Sequence, residues 1–144
     1  MSKKFEIIED TATADIAFRA YGENLEEAFS NSGLCLFNIM TDIDNVETNT
    51  EKEIEVESED KESLMFDYLS EFLYIFDVDR FLFSEIDVDI EATDEGYRLK
   101  AKCRGEKFDP EKHPFESEVK AISYFDMKIE ENEYGWICQV VLDL

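Results

Sequence analysis

The sequence predicts an α+β fold: a two-layer sandwich in which a mostly antiparallel β-sheet of about seven strands has two helices packed on it. Three observations predict it. Segments of period-two alternation recur along the chain, for example Ile86, Val88 and Ile90 against Asp87, Asp89 and Glu91. Two longer segments carry apolar residues at helical spacing instead. With only 5 Gly and 2 Pro, the loops must be short and few.

The elements follow in order. Phe5–Ile8 is a short strand. Asp15–Tyr21 is another, with Ile16, Phe18 and Ala20 on one face and Asp15, Ala17, Arg19 and Tyr21 on the other. Gly22 ends it, and Asn24 with Glu27 three residues later makes a capping box for a helix over Leu25–Met40. Asp42–Thr50 is polar and loop-like, and Glu53–Glu57 alternates Ile54 and Val56 with acids. A second helix starts near Asp60, with an apolar stripe of Leu64, Met65, Tyr68, Leu69, Phe72, Leu73 and Phe76.

Two hairpins complete the chain. Folding the first about Thr93-Asp94-Glu95-Gly96 places Glu91 opposite Arg98, Asp89 opposite Lys100, Asp87 opposite Lys102 and Glu85 opposite Arg104. Each exposed pair is individually weak, but the four together fix the register. This reads as a structural ladder rather than an RNA-binding patch. The second hairpin runs Val119–Glu130, turns at Asn132–Gly135 and returns over Trp136–Leu144. Its last strand is apolar on both faces, as expected of a central, covered strand. Residues 1–144 form one domain on this reading, with no repeat or linker.

Composition narrows the function. There are 37 acids against 14 bases, a net charge of −23, which argues against direct binding of nucleic acid. The acidity suits a solvated surface, steering toward a basic partner, or mimicry of nucleic acid. The start of the chain has no signal-peptide pattern and no run is long enough to span a membrane, so a cytoplasmic protein is expected. Cys35, Cys103 and Cys138 lack metal-ligand spacing and read as free thiols in a reducing compartment. His113, the only histidine, stands in a loop with no evident partner, so nucleophile–base chemistry lacks a base.

Carboxylate chemistry remains. Asp15 opens a strand, Asp126 sits in the middle of a hairpin strand, and Asp143 ends the most apolar strand beside the carboxylate of Leu144. Like charges so close call for a compensating cation. Asp15 and Asp143 can share a site on neighbouring strands only if those strands are antiparallel; parallel pairing would separate them by about 20 Å. All-oxygen ligands would suit Ca2+, Mg2+ or Mn2+. A metal-dependent hydrolase using Asp15, Asp126 and Asp143 is the enzymatic alternative.

Thr13-Ala-Asp-Ile, then Arg19-Ala-Tyr-Gly and Leu25-Glu-Glu-Ala-Phe, resemble the N-terminal signature of the archease family. Glu118-Val-Lys-Ala-Ile-Ser-Tyr resembles its second signature, Trp136 through Asp143-Leu144 its ending, and Leu64 to Tyr74 its second helix. The resemblance covers essentially the whole chain. It implies a non-enzymatic accessory protein that activates the RtcB-type RNA ligase of tRNA splicing. Such proteins promote ligase guanylylation, sustain multiple turnover and broaden nucleotide use. The resemblance also implies a bound metal, usually calcium, at Asp15, Asp143 and Leu144, the last through a main-chain or terminal oxygen. The chain departs from the family pattern at Ala12 and Phe125, where many members have histidine, and at Ala17, where glycine is frequent.

Overall fold

A computed structural model describes residues 3–9 and 15–144. The elements are β1 (Phe5–Glu9), β2 (Asp15–Gly22), α1 (Leu25–Met40), β3 (Thr50–Ser58), α2 (Lys61–Asp79), β4 (Phe81–Thr93), β5 (Gly96–Lys107), β6 (Ala121–Asn132) and β7 (Gly135–Asp143). A single 3-10 turn at Ile43–Asn45 follows α1.

The expected class holds, with one refinement. The strands divide into two antiparallel sheets, ordered β1-β2-β7-β6 and β3-β5-β4, rather than forming one. Each helix touches both sheets: α1 lies against β2, β7 and β4, and α2 against β6, β3 and β5. None of the helices among the described residues is long and apolar enough to cross a membrane.

Local chemistry sets the helix bounds. Asn24 accepts the Glu27 N–H at 2.8 Å and caps α1. Asp60 accepts the Ser63 N–H at 2.7 Å and caps α2. Between them the helices carry the centre of the core, where Phe29, Phe37, Tyr68, Phe72 and Phe83 are all fully buried. The Tyr68 hydroxyl donates to the Phe29 carbonyl at 2.8 Å, so the one polar atom of this cluster is satisfied. Gly33 permits the close approach: a Cβ there would lie 2.6 Å from the Tyr68 hydroxyl and 2.8 Å from the Ile86 side chain.

The charge ladder forms with the expected register and is doubled. Four of the five bases of β5 face an acid on β4 and another on β3: Arg98 lies between Glu91 and Glu57, Lys100 between Asp89 and Glu55, Lys102 between Asp87 and Glu53, and Arg104 between Glu85 and Glu51. Arg98 bonds both its neighbours at 2.7 Å. Arg104 likewise bridges Glu51 at 3.2 Å and Glu85 at 3.1 Å, so both arginines are engaged in holding three strands in register.

The last strand, β7, is central, paired with β2 on one side and β6 on the other. Its two apolar faces are thereby explained: Cys138, Val140, Val141 and Leu142 are all buried. All three cysteines are free and buried, and burial pushes each thiol up to about 12. They serve as small apolar side chains, not nucleophiles.

Candidate functional site

The pairing of β2 with β7 brings two carboxylates together from opposite ends of the chain. The strands are antiparallel, and Asp15 is directly opposite Asp143. Directly opposed residues point to the same face of a sheet, with Cβ atoms about 4.5–5.5 Å apart. Asp15 is half-buried and Asp143 exposed. The Asp143 carbonyl accepts the Lys120 N–H at 2.8 Å, so its backbone is held by β-type pairing and its carboxylate is left to face outward. Leu144 follows, half-buried, with its side chain against the core. Asp15, Asp143 and Leu144 are therefore adjacent, in the antiparallel arrangement that a shared site requires. Thr13 and Ala14 of the signature, and Ala12, lie outside the described residues.

Asp126 is not part of this group. Between the pairs Ser123–Val141 and Lys128–Gln139, β6 bulges, setting Tyr124, Phe125, Asp126 and Met127 against Val140 alone. Asp126 takes a left-handed φ of 54° in the bulge, is exposed, and its carbonyl accepts the Gln139 side-chain N–H at 2.9 Å. Gln139 is four residues from Asp143 along β7, about 13 Å at ~3.3 Å per residue. The three-carboxylate arrangement on which a hydrolase reading depends is thus not assembled. Phe125 is 68% exposed on the same bulge.

The donor chemistry at Asp15 and Asp143 suits a hard cation, since every available ligand is oxygen. Among the described residues no group of three or more His, Cys, Asp or Glu side chains is arranged to hold a metal. Within the described residues, main-chain oxygen and water are what remain to complete the shell of a cation at this pair.

His113 has the partners that the sequence did not reveal, and they make it structural. It is fully buried. Its Nδ1 accepts the Asp109 N–H at 2.9 Å, so in the neutral ring Nε2 carries the proton and donates to Glu106 at 2.9 Å. Glu106 also accepts the Glu47 N–H at 2.8 Å and the Lys112 ammonium at 3.0 Å. Burial alone would raise this carboxyl, but the bonds from Glu47, Lys112 and His113 outweigh it and hold Glu106 at about 2. The network pins the loop after β5 to the segment before β3. The one signal for it in the sequence is the spacing of Glu106, Lys112 and His113 about a Pro-containing loop, which is weak.

A pH dependence follows. With its folded value below the ordinary 4.5, Glu106 binds protons more weakly in the folded chain than in the unfolded one. Its contribution is fully present above about 4.5 and is lost as pH falls toward about 2. Glu106→Gln should cost about 1.5–3 kcal/mol at neutral pH, the range for hydrogen bonds to a charged group. The gap between wild type and variant, measured by denaturant unfolding, should close across that acid window. A gap that is constant with pH would show that the carboxylate charge is not what matters.

Comparison with known proteins bears on the whole chain. Residues 5–144 match the model of the Archease protein family (MTH1598/TM1083). The chain is 49% identical over 133 residues to "Protein archease" of Pyrococcus abyssi, covering 92% of this chain and 94% of that one. It is 46% identical over 143 residues to "Protein archease" of Methanosarcina mazei, covering 99% and 97%. The solution structure of Methanobacterium thermoautotrophicum protein 1598 superposes with a TM-score of 0.85 at 40% identity, covering 98% of this chain and 99% of that one. The chain belongs to the archease family.

Proposed function

We propose that this chain is a non-catalytic, cytoplasmic accessory protein that binds a divalent cation and activates an RtcB-type RNA ligase in tRNA splicing, promoting ligase guanylylation and multiple turnover. Family membership supports the partner role. The observation that carries the site is the direct opposition of Asp15 and Asp143 across β2 and β7. On this reading the two carboxylates and a main-chain oxygen of Leu144 hold the cation, Ca2+ by preference, with Mg2+ or Mn2+ accepted by the same oxygen set. When bound, the cation supplies a positive centre at the edge of an otherwise acidic surface.

The rest is done by the chain's own residues. The pairing of β2, β7 and the Lys120 segment fixes the two acids on one face before any partner arrives. The net charge of −23 steers the protein toward the basic surface of an RNA-binding enzyme. A non-catalytic role is supported by the buried thiols and by a histidine whose two nitrogens are both engaged. The test is to add the protein to a cognate ligase at limiting divalent metal and count turnovers per ligase. Stimulation is expected. Unchanged turnover contradicts the activator role, and inhibition favours a nucleic-acid mimic instead.

A further inference from the structure

Seven residues along β2 and β7 from the carboxylate pair, about 23 Å away, a cleft of about 360 Å³ opens where Gly22 pairs with Trp136. Tyr21, Tyr134, Trp136 and Ile137 line it, together with Glu23 and Glu27. Two glycines shape it. A Cβ at Gly22 would lie 2.3 Å from the Ala28 nitrogen, and one at Gly135 would lie 2.2 Å from the Gly22 carbonyl. The backbone at the end of the sheet can close up only without those side chains, and the aromatic neighbours project around it.

The walls are aromatic and acidic together. Tyr134, in the turn between β6 and β7, is 86% exposed. Tyr21 is held in place by its hydroxyl, which donates to Glu6 at 2.6 Å. Trp136, opposite Gly22, is on the other face of the sheet from Tyr21 and Ile137, and the Lys61 ammonium sits 5.7 Å over its ring outside the cleft, so Tyr21 and Tyr134 supply the open aromatic surface. Lys3 also borders the cleft, but its charge is tied to Glu6 at 2.8 Å. The cations native to this region therefore leave Glu23 and Glu27 to set its local charge.

We infer that this cleft receives an arginine side chain carried by a basic partner protein. A planar guanidinium stacks on tyrosine faces, here those of Tyr21 and Tyr134, while its N–H groups donate to carboxylates. Both kinds of wall are present here at once. An apolar side chain would satisfy the rings but desolvate the carboxylates without return. A nucleotide would satisfy the rings but bring its phosphates to Glu23, Glu27 and a net charge of −23. The cleft is a second contact surface at the far end of the sheet, and it does not depend on cation binding at Asp15 and Asp143.

Trp136 is the only tryptophan, so intrinsic fluorescence reads the cleft directly. The test titrates the full chain with an acetylated, amidated Gly-Arg-Gly-Arg-Gly peptide and with its citrulline counterpart, at about 0.15 M salt to suppress diffuse attraction. A saturable change is expected with the arginine peptide and none with the citrulline one. Tyr134→Ala and Glu23→Gln, both at exposed positions, should each weaken binding at least ~tenfold with unchanged thermal unfolding. Equal affinity for both variants would mean diffuse charge attraction, and equal affinity for citrulline an apolar groove. A tighter response to GMP would mean base stacking. Each of these overturns the inference, as does the absence of any saturable signal.

Discussion

Asp143→Asn should lower the affinity for Ca2+ at least ~tenfold while leaving the fold intact. The change removes one of two opposed carboxylates and keeps the side chain's shape. The backbone of Asp143 stays paired, since Lys120 bonds its carbonyl and Asp15 stands opposite it in the register. Asp143 is also exposed, so no core contact is lost. Two unfolding curves separate binding from folding. In chelator the variant should be about as stable as wild type, because the side chain is exposed and the backbone pairing is kept. With Ca2+ in large excess wild type should gain stability by mass action, about 2.7 kcal/mol at a hundredfold excess over its dissociation constant, and the variant much less. Equal gains for both would place the cation elsewhere. Calorimetric titration gives the affinity itself.

Phe72→Ala should be the most damaging single truncation, at about 3–5 kcal/mol. The ring meets Phe37, Tyr68 and Phe83 with centroid separations of 5.1, 4.9 and 5.8 Å, and all four side chains are fully buried. Phe72 belongs to α2, Phe37 to α1 and Phe83 to β4, so a cavity here loosens the contacts of both helices and a sheet at once. The Gly33 approach makes relaxation difficult, because α1 already touches the Phe72 ring there. Denaturant unfolding gives the loss directly. A cost near 1 kcal/mol would mean that the site collapses to fill the space.

How far each feature could be read in advance depends on the range over which its cause acts. The bounds of α1 follow from Asn24 and Glu27, three residues apart, and the structure keeps them unchanged. The register of β4 with β5 follows from four charge pairs around one turn; all four fall in register, and Arg98–Glu91 and Arg104–Glu85 close as ion pairs. The addition of β3 to the other side of β5 has the same origin, since Glu51, Glu53, Glu55 and Glu57 repeat the acidic alternation of β4. Alternation alone does not say which base each acid will meet. The division into two sheets was hidden for that reason: it depends on which strands stay unpaired.

The bulge in β6 was hidden by a different cause. Asp126 adopts a left-handed backbone with no glycine or asparagine to signal it, so period two reads straight through the segment. The carboxylate pair was only conditionally legible. Strand phase and the isolation of Asp143 at the end of an apolar strand pointed to it, but its pairing joins positions near opposite ends of the chain. Nothing local marks the His113 network, because Glu106 is one acid among 37 in the sequence. Its half-buried, triply bonded carboxylate forms only once the loop is folded back.

The most direct test of the central claim is ligase guanylylation at limiting divalent metal, followed by intact mass, with wild type or with the Asp15→Ala/Asp143→Ala double variant. Wild type should raise the guanylylated fraction and the number of turnovers. The double variant, shown to be folded by its thermal transition, should lose most of that stimulation. If the folded double variant stimulates as well as wild type, the carboxylate pair is not the working site and the account fails.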